Sequence, residues 1–346
     1  MHEVAWRCDS ASYSHCKGVR TSNMVFQMRV LSRSFSTANQ LIFRNATSKD
    51  IDMITRRAVQ DGWHIGPCDY PCAVDFNPKS FYVGEIDGEL VTHFSIIPYP
   101  NNHYHTGGMI VTEKFRRRGY ALKTLQKLMS MCDENYTIGG DVHLGMKSTF
   151  EMVGFKNKLW NTNIAMLNLE KIVAKLGKEP GIPSSVDVES ICRTNLEKLL
   201  KYDRTVFGTP RQTFMMSWIS VPGSLGWTAV DKESDNIVGY AIMKQVIRDA
   251  GTEIGLAMAP LYADNADIAK LLLKTAAEYC LANEAVPKTK LELFHPVGNN
   301  CGEGASELMD ELEAELTHIA YRMYSKGIPP GRQMKKIYGI ASPTID

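Results

Sequence analysis

Three consecutive arginines and a glycine precede a helix-like segment in "MIVTEKFRRRGYALKTLQKLM", residues 109–129. Where a strand runs straight into a helix, the first backbone N–H groups of the helix are unpaired and lie at the positive end of its dipole. Gly119 and Ala121 leave room for a pyrophosphate to approach those groups. Charge-assisted hydrogen bonds would come from Arg116, Arg117 and Arg118. The segment therefore predicts a binding site for a polyanion.

Three other interpretations of this loop are weaker. A solvated patch would set cations against the helix dipole with nothing anionic to compensate. Nucleic-acid binding is usually accompanied by aromatic residues, a known motif or a basic domain, and here the formal net charge is +1. A Rossmann site needs a glycine-rich loop after the first strand of a parallel sheet, whereas this loop follows strands that read as an antiparallel meander.

Length and composition describe a globular protein of roughly two domains. The chain has 346 residues, of which 44% are hydrophobic and 22% charged. Its apolar runs fall short of the roughly 20 residues that a membrane-spanning helix needs. Eight cysteines without a secretory signal indicate reduced thiols inside the cell. Cys68 and Cys72 lack a second Cys/His pair, which favours free thiols in a loop over a metal site.

The first 40 residues have the composition of an organelle transit peptide. Residues 10–40 contain no acidic residue, and lysine and arginine alternate with many serines. One helical face carries Met28, Leu31 and Phe35, with arginines on the opposite face. We predict a flexible segment 1–40 that directs the chain to mitochondria. The alternative is a compositionally biased tail on a cytoplasmic protein.

Residues 41–170 predict a domain of order β-α-β-β-β-α-β-α-β, in which Asp87-Gly88 marks a tight hairpin turn. The segment 171–186, rich in Gly, Pro and Ser, predicts a linker. Similar elements recur in residues 187–346: a helix over 187–207, a hairpin, a strand and a strongly apolar helix. The expected fold class is α/β, with a mixed, mainly antiparallel sheet flanked by helices in each of two tandem domains.

The loop from Arg116 to Ala121 resembles the (Arg/Gln)-x-x-Gly-x-(Gly/Ala) pyrophosphate loop of the GNAT superfamily, the acyl-coenzyme A-dependent N-acetyltransferases. "FRNATSKDID" is similar to the opening strand and helix of that family, "GEIDGELV" to its first hairpin, and "FEMVGF" to its helix ending in Gly-Phe. Later segments, among them "DGWHIG" and "GWTAVDKESDNIVGYAI", look like a type with a second GNAT-like domain. The resemblance covers residues 41–343 approximately.

The resemblance implies that acetyl-coenzyme A, or another acyl-coenzyme A, is the co-substrate and that no metal is used. The pyrophosphate would bind the loop formed by Arg116, Arg117, Arg118, Gly119, Tyr120 and Ala121. The pantetheine and thioester would contact Met109, Ile110, Val111 and Phe150. An amine would attack the thioester directly, with the Val111 N–H polarising its carbonyl.

The resemblance leaves the acid and the base open. Where the family commonly has a tyrosine four residues before the glycine of Gly-Phe, this chain has Phe150. Protonation of the thiolate would then fall to water or to a group such as His143, although a thiol that titrates near ~8.5 also leaves without an acid. The candidate general bases are Asp141, His143, His103 and His105. Glu113, beside the loop, is expected to be structural.

The second domain has no phosphate loop. At the corresponding junction, "LYADNADIA", Asp264 and Asp267 replace glycine and arginine, so acyl-coenzyme A is not expected to bind there. This domain would instead cover the acceptor cleft, with wall residues Trp63, Trp218 and Arg322. The first hypothesis is an N-acetyltransferase for an amine of a small molecule or peptide, without nucleic acid. The second is a catalytically silent acyl-coenzyme A-binding or regulatory protein, suggested by Phe150.

Overall fold

The computed structural model describes residues 40–177, 183–286, 290–298 and 301–346. The transit peptide predicted in residues 1–40 lies outside this part of the chain, apart from Gln40. We call residues 40–177 the first half and residues 183–346 the second half. No helix in the described segments is long and apolar enough to cross a membrane.

The first half contains, in chain order, β1 (Ile42–Asn45), α1 (Ser48–Gln60), α2 (Asp69–Phe76), β2 (Phe81–Ile86), β3 (Glu89–Tyr99), β4 (His103–Val111), α3 (Tyr120–Met131), β5 (Thr137–His143), α4 (Lys147–Met152), β6 (Asn157–Leu167) and α5 (Leu169–Leu176). The predicted order is confirmed, with α2 and α5 in addition. The linker prediction missed α5, whose residues Leu169, Ile172 and Leu176 are buried in an apolar cluster shared with the second half.

The second half contains β7 (Val186–Ser190), α6 (Leu196–Phe207), α7 (Gln212–Ile219), β8 (Leu225–Asp231), β9 (Ile237–Arg248), β10 (Glu253–Ala263), α8 (Ala266–Ala282), β11 (Leu291–Val297), α9 (Ala305–Glu311), β12 (Glu315–Tyr324) and β13 (Ile337–Gly339). The helix predicted over 187–207 is shorter than expected, because β7 pairs with β8 at its start. The predicted hairpin, strand and apolar helix are confirmed as β8–β9, β10 and α8.

Helix α1 begins and ends as its sequence dictates. The Thr47 side chain accepts from the Asp50 N–H, and the Asp50 carboxylate accepts from the Thr47 N–H at 2.7 Å, which is a capping box. After the helix, Gly62 adopts a φ of +79°, and the Trp63 N–H donates to the Ala58 carbonyl at 2.9 Å. This termination sends the chain after Gly62 towards the sheet.

The two halves share one mixed sheet, in which β6 and β12 each pair with a strand of the other half. Among the described residues the strand order is β1-β2-β3-β4-β5-β12-β6-β11-β10-β9-β8-β7, with β13 added beside β10. Strand β12 of the second half pairs with β5, and β6 of the first half pairs with β11. Each half contributes one parallel pair, β4–β5 and β10–β11, with a long helix between the two strands. The α/β class and the repeated order are confirmed, but the sheet is continuous across both halves.

Apolar burial also joins the halves. One large cluster includes Ile54 from α1 and Trp218 from α7. A second cluster supports α3 and α4 through Leu125, Leu128 and Phe150. Because apolar contacts and strand pairing both cross the junction, the two halves pack as one compact unit.

Candidate functional site

Strands β4 and β5 begin side by side and then diverge. Residues His103–His105 pair in parallel with Thr137–Gly139, after which β5 continues along β12 instead. At the divergence, the register of β4 on β3 shifts, and Gly108 adopts a φ of +58°. The result is a wedge between the two strands into which two cavities open.

The loop groove is the outer cavity of this wedge, with a volume of about 950 Å³. It runs between the end of β4, the loop before α3, and α4. The predicted ligand residues that line it are Met109, Ile110, Val111, Arg116, Arg117, Gly119, Tyr120 and Ala121. The structure thus brings together the strand and the loop that the sequence placed in one site, and it adds Glu113 and His143 to the lining.

The start of α3 has no cap of its own. Gly119 is the N-cap residue with a left-handed φ of +79°, its side chain offers no acceptor, and the first turn contains no acidic residue. A Cβ at Gly119 would meet no atom within 4 Å, so the space in front of the helix is open. Unpaired N–H groups at a helix start, facing open space, form an anion site.

The three arginines have different surroundings. Arg116 donates to Asp61 at 2.5 Å and to the Val111 carbonyl at 2.9 Å, so its charge is already partly compensated. Arg117 lines the groove with a φ of +61°, and Arg118 lies against the Phe115 ring at 5.9 Å. In the described segments, Arg117 and Arg118 have no acidic partner. Positive charge is therefore left over at the uncapped helix start.

Phe150 is not brought to the groove. Its side chain is 7% exposed and packs edge-on against Phe155 at 5.1 Å between ring centroids. The face of α4 that lines the groove carries Thr149 and Met152 instead. The expectation that Phe150 contacts the ligand is corrected by the helical period, which turns this position towards the core.

The inner pocket is the second cavity, with a volume of about 220 Å³. It shares Asp61, Gly62, Trp63 and His143 with the loop groove, so the two cavities meet. Its remaining lining comes from both halves and includes Ile164, Phe294 and Pro343. Of the predicted wall residues, Trp63 lines this pocket. Trp218 and Arg322 are 1% and 0% exposed and lie in the protein interior.

Asp141 borders the inner pocket, but its carboxylate is occupied. Arg322 donates to Oδ2 through Nε at 2.9 Å and through a second guanidinium nitrogen, and the Thr162 hydroxyl donates to Oδ1. Trp160 in turn donates to Thr162 at 3.0 Å. This buried ion pair between β5 and β12 joins the two halves, and both oxygens have partners. Asp141 is therefore better placed to position the strands than to accept a proton from a substrate.

His143 stands at the junction of the two cavities. The Gly145 N–H donates to its Nδ1 at 3.2 Å, so Nδ1 carries the lone pair and the neutral ring has its proton on Nε2. The side chain is exposed. In this tautomer the ring is a hydrogen-bond donor at Nε2.

The other two candidate histidines lie in the interior. His103 is 3% exposed, and burial lowers its pKa to about 3. His105 is fully buried, and burial likewise lowers its pKa well below the ordinary value. Its Nε2 is 3.1 Å from the Pro343 carbonyl. Neither ring lines the groove or the pocket, so the structure does not bring them to the site.

Sequence reasoning missed His64 as a site residue. Its ring lines the inner pocket, and Nδ1 lies 2.7 Å from Oε2 of Glu292, a carboxylate of β11 that is 0% exposed. The two residues are 228 positions apart in the chain. The available signal was "DGWHIG", where a glycine that ends a helix is followed by tryptophan and histidine.

Cys68 and Cys72 do not lie in a loop as predicted. Cys68 is the N-cap residue of α2, and Cys72 is buried within that helix. Both thiols are free, and burial raises the pKa of Cys72 to about 12. In the described residues, no group of three or more His, Cys, Asp and Glu side chains is arranged to hold a metal ion.

Two acetyltransferase family models match the chain: "Acetyltransferase (GNAT) family" over residues 50–145 and "Acetyltransferase (GNAT) domain" over residues 199–339. A curated relative, holothin acyltransferase from Pseudoalteromonas sp. (strain SANK 73390), is 22% identical over 298 residues, which are 86% of this chain and 92% of the relative. The two matches lie on either side of the predicted linker. The predicted resemblance is confirmed, while the domain boundaries stay a prediction.

Solved structures agree in fold. A putative acetyltransferase from Pyrococcus horikoshii superimposes with a TM-score of 0.65 at 17% identity, covering 94% of this chain and 99% of that one. A tandem GNAT protein from the clavulanic acid biosynthesis pathway gives 0.60 at 13% identity, covering 84% and 100%. At such identities the structural likeness establishes the architecture and leaves the substrate open.

Proposed function

Because this chain belongs to the GNAT acyltransferases, we propose that it transfers an acetyl or short acyl group from acyl-coenzyme A to an amine by direct attack on the thioester. The observation that carries this proposal is the uncapped start of α3 at the mouth of the wedge between β4 and β5. Gly119 lies there beside Arg117, which has no acidic partner in the described segments. Both requirements for the donor, an anion site and an adjoining strand edge, are met in one groove.

Different groups of the chain would bind the pyrophosphate and the thioester of the donor. The N–H groups of Gly119, Tyr120 and Ala121 would bind the pyrophosphate, with Arg117 adding charge. The Val111 carbonyl accepts from Arg116, and the Thr112 N–H donates to β3, so the polar groups of Val111 face away from β3 and towards the wedge. The Val111 N–H would then polarise a thioester carbonyl.

The acceptor would occupy the inner pocket. A volume of about 220 Å³ with mostly apolar lining suits a small amine, or the end of a peptide, rather than an extended chain. His143, at the junction with the groove, would donate a hydrogen bond from Nε2 to the departing thiolate and stabilise its charge until water protonates it. This role replaces the phenol that the family commonly has at position 150. The holothin acyltransferase relative supports acyl transfer as the reaction class. The proposed acceptor of this chain is inferred from the inner pocket and not from that relative.

One observation favours a second candidate function. Position 150 holds a buried phenylalanine, and no phenol replaces it on α4, so a protein that binds acyl-coenzyme A without transferring it would have the same groove. The two candidates differ in turnover, because both require binding.

The deciding experiment incubates the full chain with acetyl-coenzyme A and a panel of small amines and short peptides. Free coenzyme A and acylated amine are quantified by chromatography and mass spectrometry, because the free cysteines of this chain would react with thiol dyes. We expect release of coenzyme A that depends on the added amine and matches amide formed. Binding without amine-dependent release across the panel would support the silent protein instead.

A further inference from the structure

We propose that His64 is the general base of the acyl transfer and that Glu292 fixes its tautomer, an inference that rests on the proposed function. The structure assigns this pair by geometry: an exposed-edge imidazole in the acceptor pocket, held by a fully buried carboxylate from the other half. Neither residue belongs to the pyrophosphate loop or to the strand that would bind the thioester.

The loop that carries His64 is fixed at both ends. On one side, α1 is closed by the bond from the Trp63 N–H to the Ala58 carbonyl. On the other side, Ile65 is 2% exposed and its carbonyl accepts from the Ile247 N–H of β9 at 3.0 Å. His64 lies between these two anchors, so its backbone is held against the second half.

Glu292 orients the imidazole. An ionised carboxylate only accepts hydrogen bonds, so the 2.7 Å contact makes Nδ1 of His64 the donor. In the neutral ring, Nε2 is then left with its lone pair. The same Oε2 accepts from Nε of Arg248 at 3.0 Å, which compensates the charge of a carboxylate that is 0% exposed.

Arg248 is itself held in place. Its second terminal nitrogen donates to the carbonyls of Leu256 at 3.0 Å and Lys290 at 3.2 Å. Gly255 leaves the room for it, because a Cβ there would come within 2.6 Å of three guanidinium atoms. The order Arg248, Glu292, His64 thus runs from the interior of the second half to the pocket.

The side chain of His64 is 23% exposed, and it lines both the inner pocket and an adjoining cavity of about 670 Å³, the side pocket. A ring with a lone pair on Nε2, open to the acceptor cavity, is suited to accept a proton. His143, on the groove side of the same pocket, has the opposite tautomer, with its proton on Nε2. The two histidines are thus a proton acceptor and a hydrogen-bond donor on either side of one cavity.

His64 Nε2 takes one proton from the acceptor ammonium and passes it to solvent through the side pocket. The free amine nitrogen attacks the thioester carbonyl, the C–N bond forms and the C–S bond breaks. The second proton leaves the nitrogen as the amide forms and is carried by water to the thiolate, which would accept a hydrogen bond from Nε2 of His143. The net products are amide, coenzyme A and one proton.

The charged and titratable groups that face His64 come from both halves. From the second half these are Glu292, Arg248, Asp249, Glu253 and Lys290. From the first half they are Asp61, Asp141 and His143. Asp61 and Asp141 are each paired with an arginine, which leaves Glu292 as the acid in hydrogen-bond contact with the ring.

The test compares His64→Gln with His318→Gln in the full chain. His318 lies outside the three cavities. For His64→Gln, we expect kcat with a saturating amine to fall by about 100-fold or more, the range for a lost general base, with unchanged KM for acetyl-coenzyme A. The loss should shrink as the pH approaches the pKa of the acceptor amine, because the amine then loses its proton without help. His318→Gln should retain full activity.

Glu292→Gln tests the positioning role. It presents an amide in place of the carboxylate and should lower kcat without changing the KM for acetyl-coenzyme A, whereas Glu292→Asp should restore part of the rate. Thermal melting identifies a variant that fails to fold, and His64→Gln then decides alone, because its side chain is partly exposed.

Nitrogen-15 spectra of the histidine rings give a readout without turnover. We expect Nδ1 of His64 to carry the proton in the free protein and to lose that preference in Glu292→Gln. The opposite tautomer in the unmodified chain, or full activity of His64→Gln, would overturn the dyad while leaving acyl transfer intact. Binding without transfer to any amine would overturn the proposed function and the dyad with it.

Discussion

Each half has a pair of parallel strands that diverge, and only one of the two wedges is open. In the first half, β4 and β5 separate after His105, and the gap between them contains the loop groove and the inner pocket. In the second half, β10 and β11 pair over Leu256–Met258, and β13 then pairs with β10 in the diverging region. The Ile340 N–H also donates to the Phe294 carbonyl of β11. The second wedge is closed by the chain itself.

The helices that follow these strands differ in the same sense. Helix α8 starts at Asn265, whose side chain accepts from the Ile268 N–H at 3.1 Å, and Asp267 lies in its first turn. Asp264 pairs with Lys336 at 2.8 Å. Helix α3 starts at Gly119 with neither a cap nor an acid. A capped start satisfies its own N–H groups, whereas an uncapped start beside cations leaves them open to solvent or to an anion.

This comparison shows how one fold order carries a site in one copy and a structural role in the other. The second half retains the strand–helix–strand unit, but its wedge and its helix start are filled by residues of the chain. The second half still reaches the site, because Glu292, Phe294 and Pro343 all belong to it. The two halves thus share a scaffold and differ in whether the wedge is open.

The largest expected effect is a fall in the free energy of unfolding at acid pH, caused by buried histidines of the first half. Burial lowers the pKa of His93 and His103 to about 3, and that of His105 well below its ordinary value. Because these pKa values are depressed in the folded chain, the unfolded chain binds more protons below the usual value of ~6.5, and stability falls as the pH falls. From pH 7.5 to 5.5 each histidine should lower the free energy of unfolding by about 1.4 kcal/mol, and the three together by about 4 kcal/mol.

Urea denaturation at the two pH values measures this loss. His93→Gln removes one titrating ring, so its stability should change less over the same interval. An equal pH dependence in this variant would mean that His93 is accessible to protons in the folded chain.

The next effect concerns the open helix start. Gly119→Glu places bulk and negative charge where the pyrophosphate should bind, and we expect acetyl-coenzyme A affinity to fall by about 100-fold, equal to the loss of one or two charge-assisted hydrogen bonds. Gly88→Glu is the matched control, because Gly88 has a φ of +77° against +79° at Gly119, and neither would meet an atom within 4 Å. Isothermal titration calorimetry should find one site per chain, lost only in the first variant. Equal binding by both variants would place the donor elsewhere.

A smaller effect separates the arginines. Arg117 lines the groove without an acidic partner in the described segments, so Arg117→Gln should weaken acetyl-coenzyme A binding by about tenfold, the value of one charge-assisted contact. Arg118 does not line the groove, and Arg118→Gln should change the affinity less. The same titrations measure both. A larger loss at Arg118 would reverse the assignment of the two side chains.

The smallest effect tests the capped helix. Asn265→Ala should lower the free energy of unfolding by about 1 kcal/mol, because the first turn of α8 loses its acceptor. Asn265→Asp retains an acceptor and should be close to the unmodified chain. Neither variant should create a second site for acetyl-coenzyme A, because β13 still closes the wedge. A stoichiometry of two would contradict the comparison.

Local features of this chain were readable from its sequence. The capping box of α1, the hairpin at Asp87-Gly88 and the loop from Arg116 to Ala121 depend on residues within a few positions of one another. Turn geometry, caps and apolar periodicity act over that range, which is why the element order and the position of the loop before α3 could be predicted. The burial of Phe150 in the core was missed, because the family pattern suggested that it contacts the groove.

The tertiary structure alone decided which distant residues meet. The exchange of β6 and β12, the closure of the second wedge by β13 and the pairing of Asp141 with Arg322 all join residues that no local pattern links. His64 meets Glu292 across 228 positions because a helix end and a strand of the other half converge at one pocket. Sequence periodicity predicts which face of an element is buried, but it does not predict which other element packs against that face. The proposed donor loop was therefore determined by the sequence itself, and the pairing of His64 with Glu292 only by the fold.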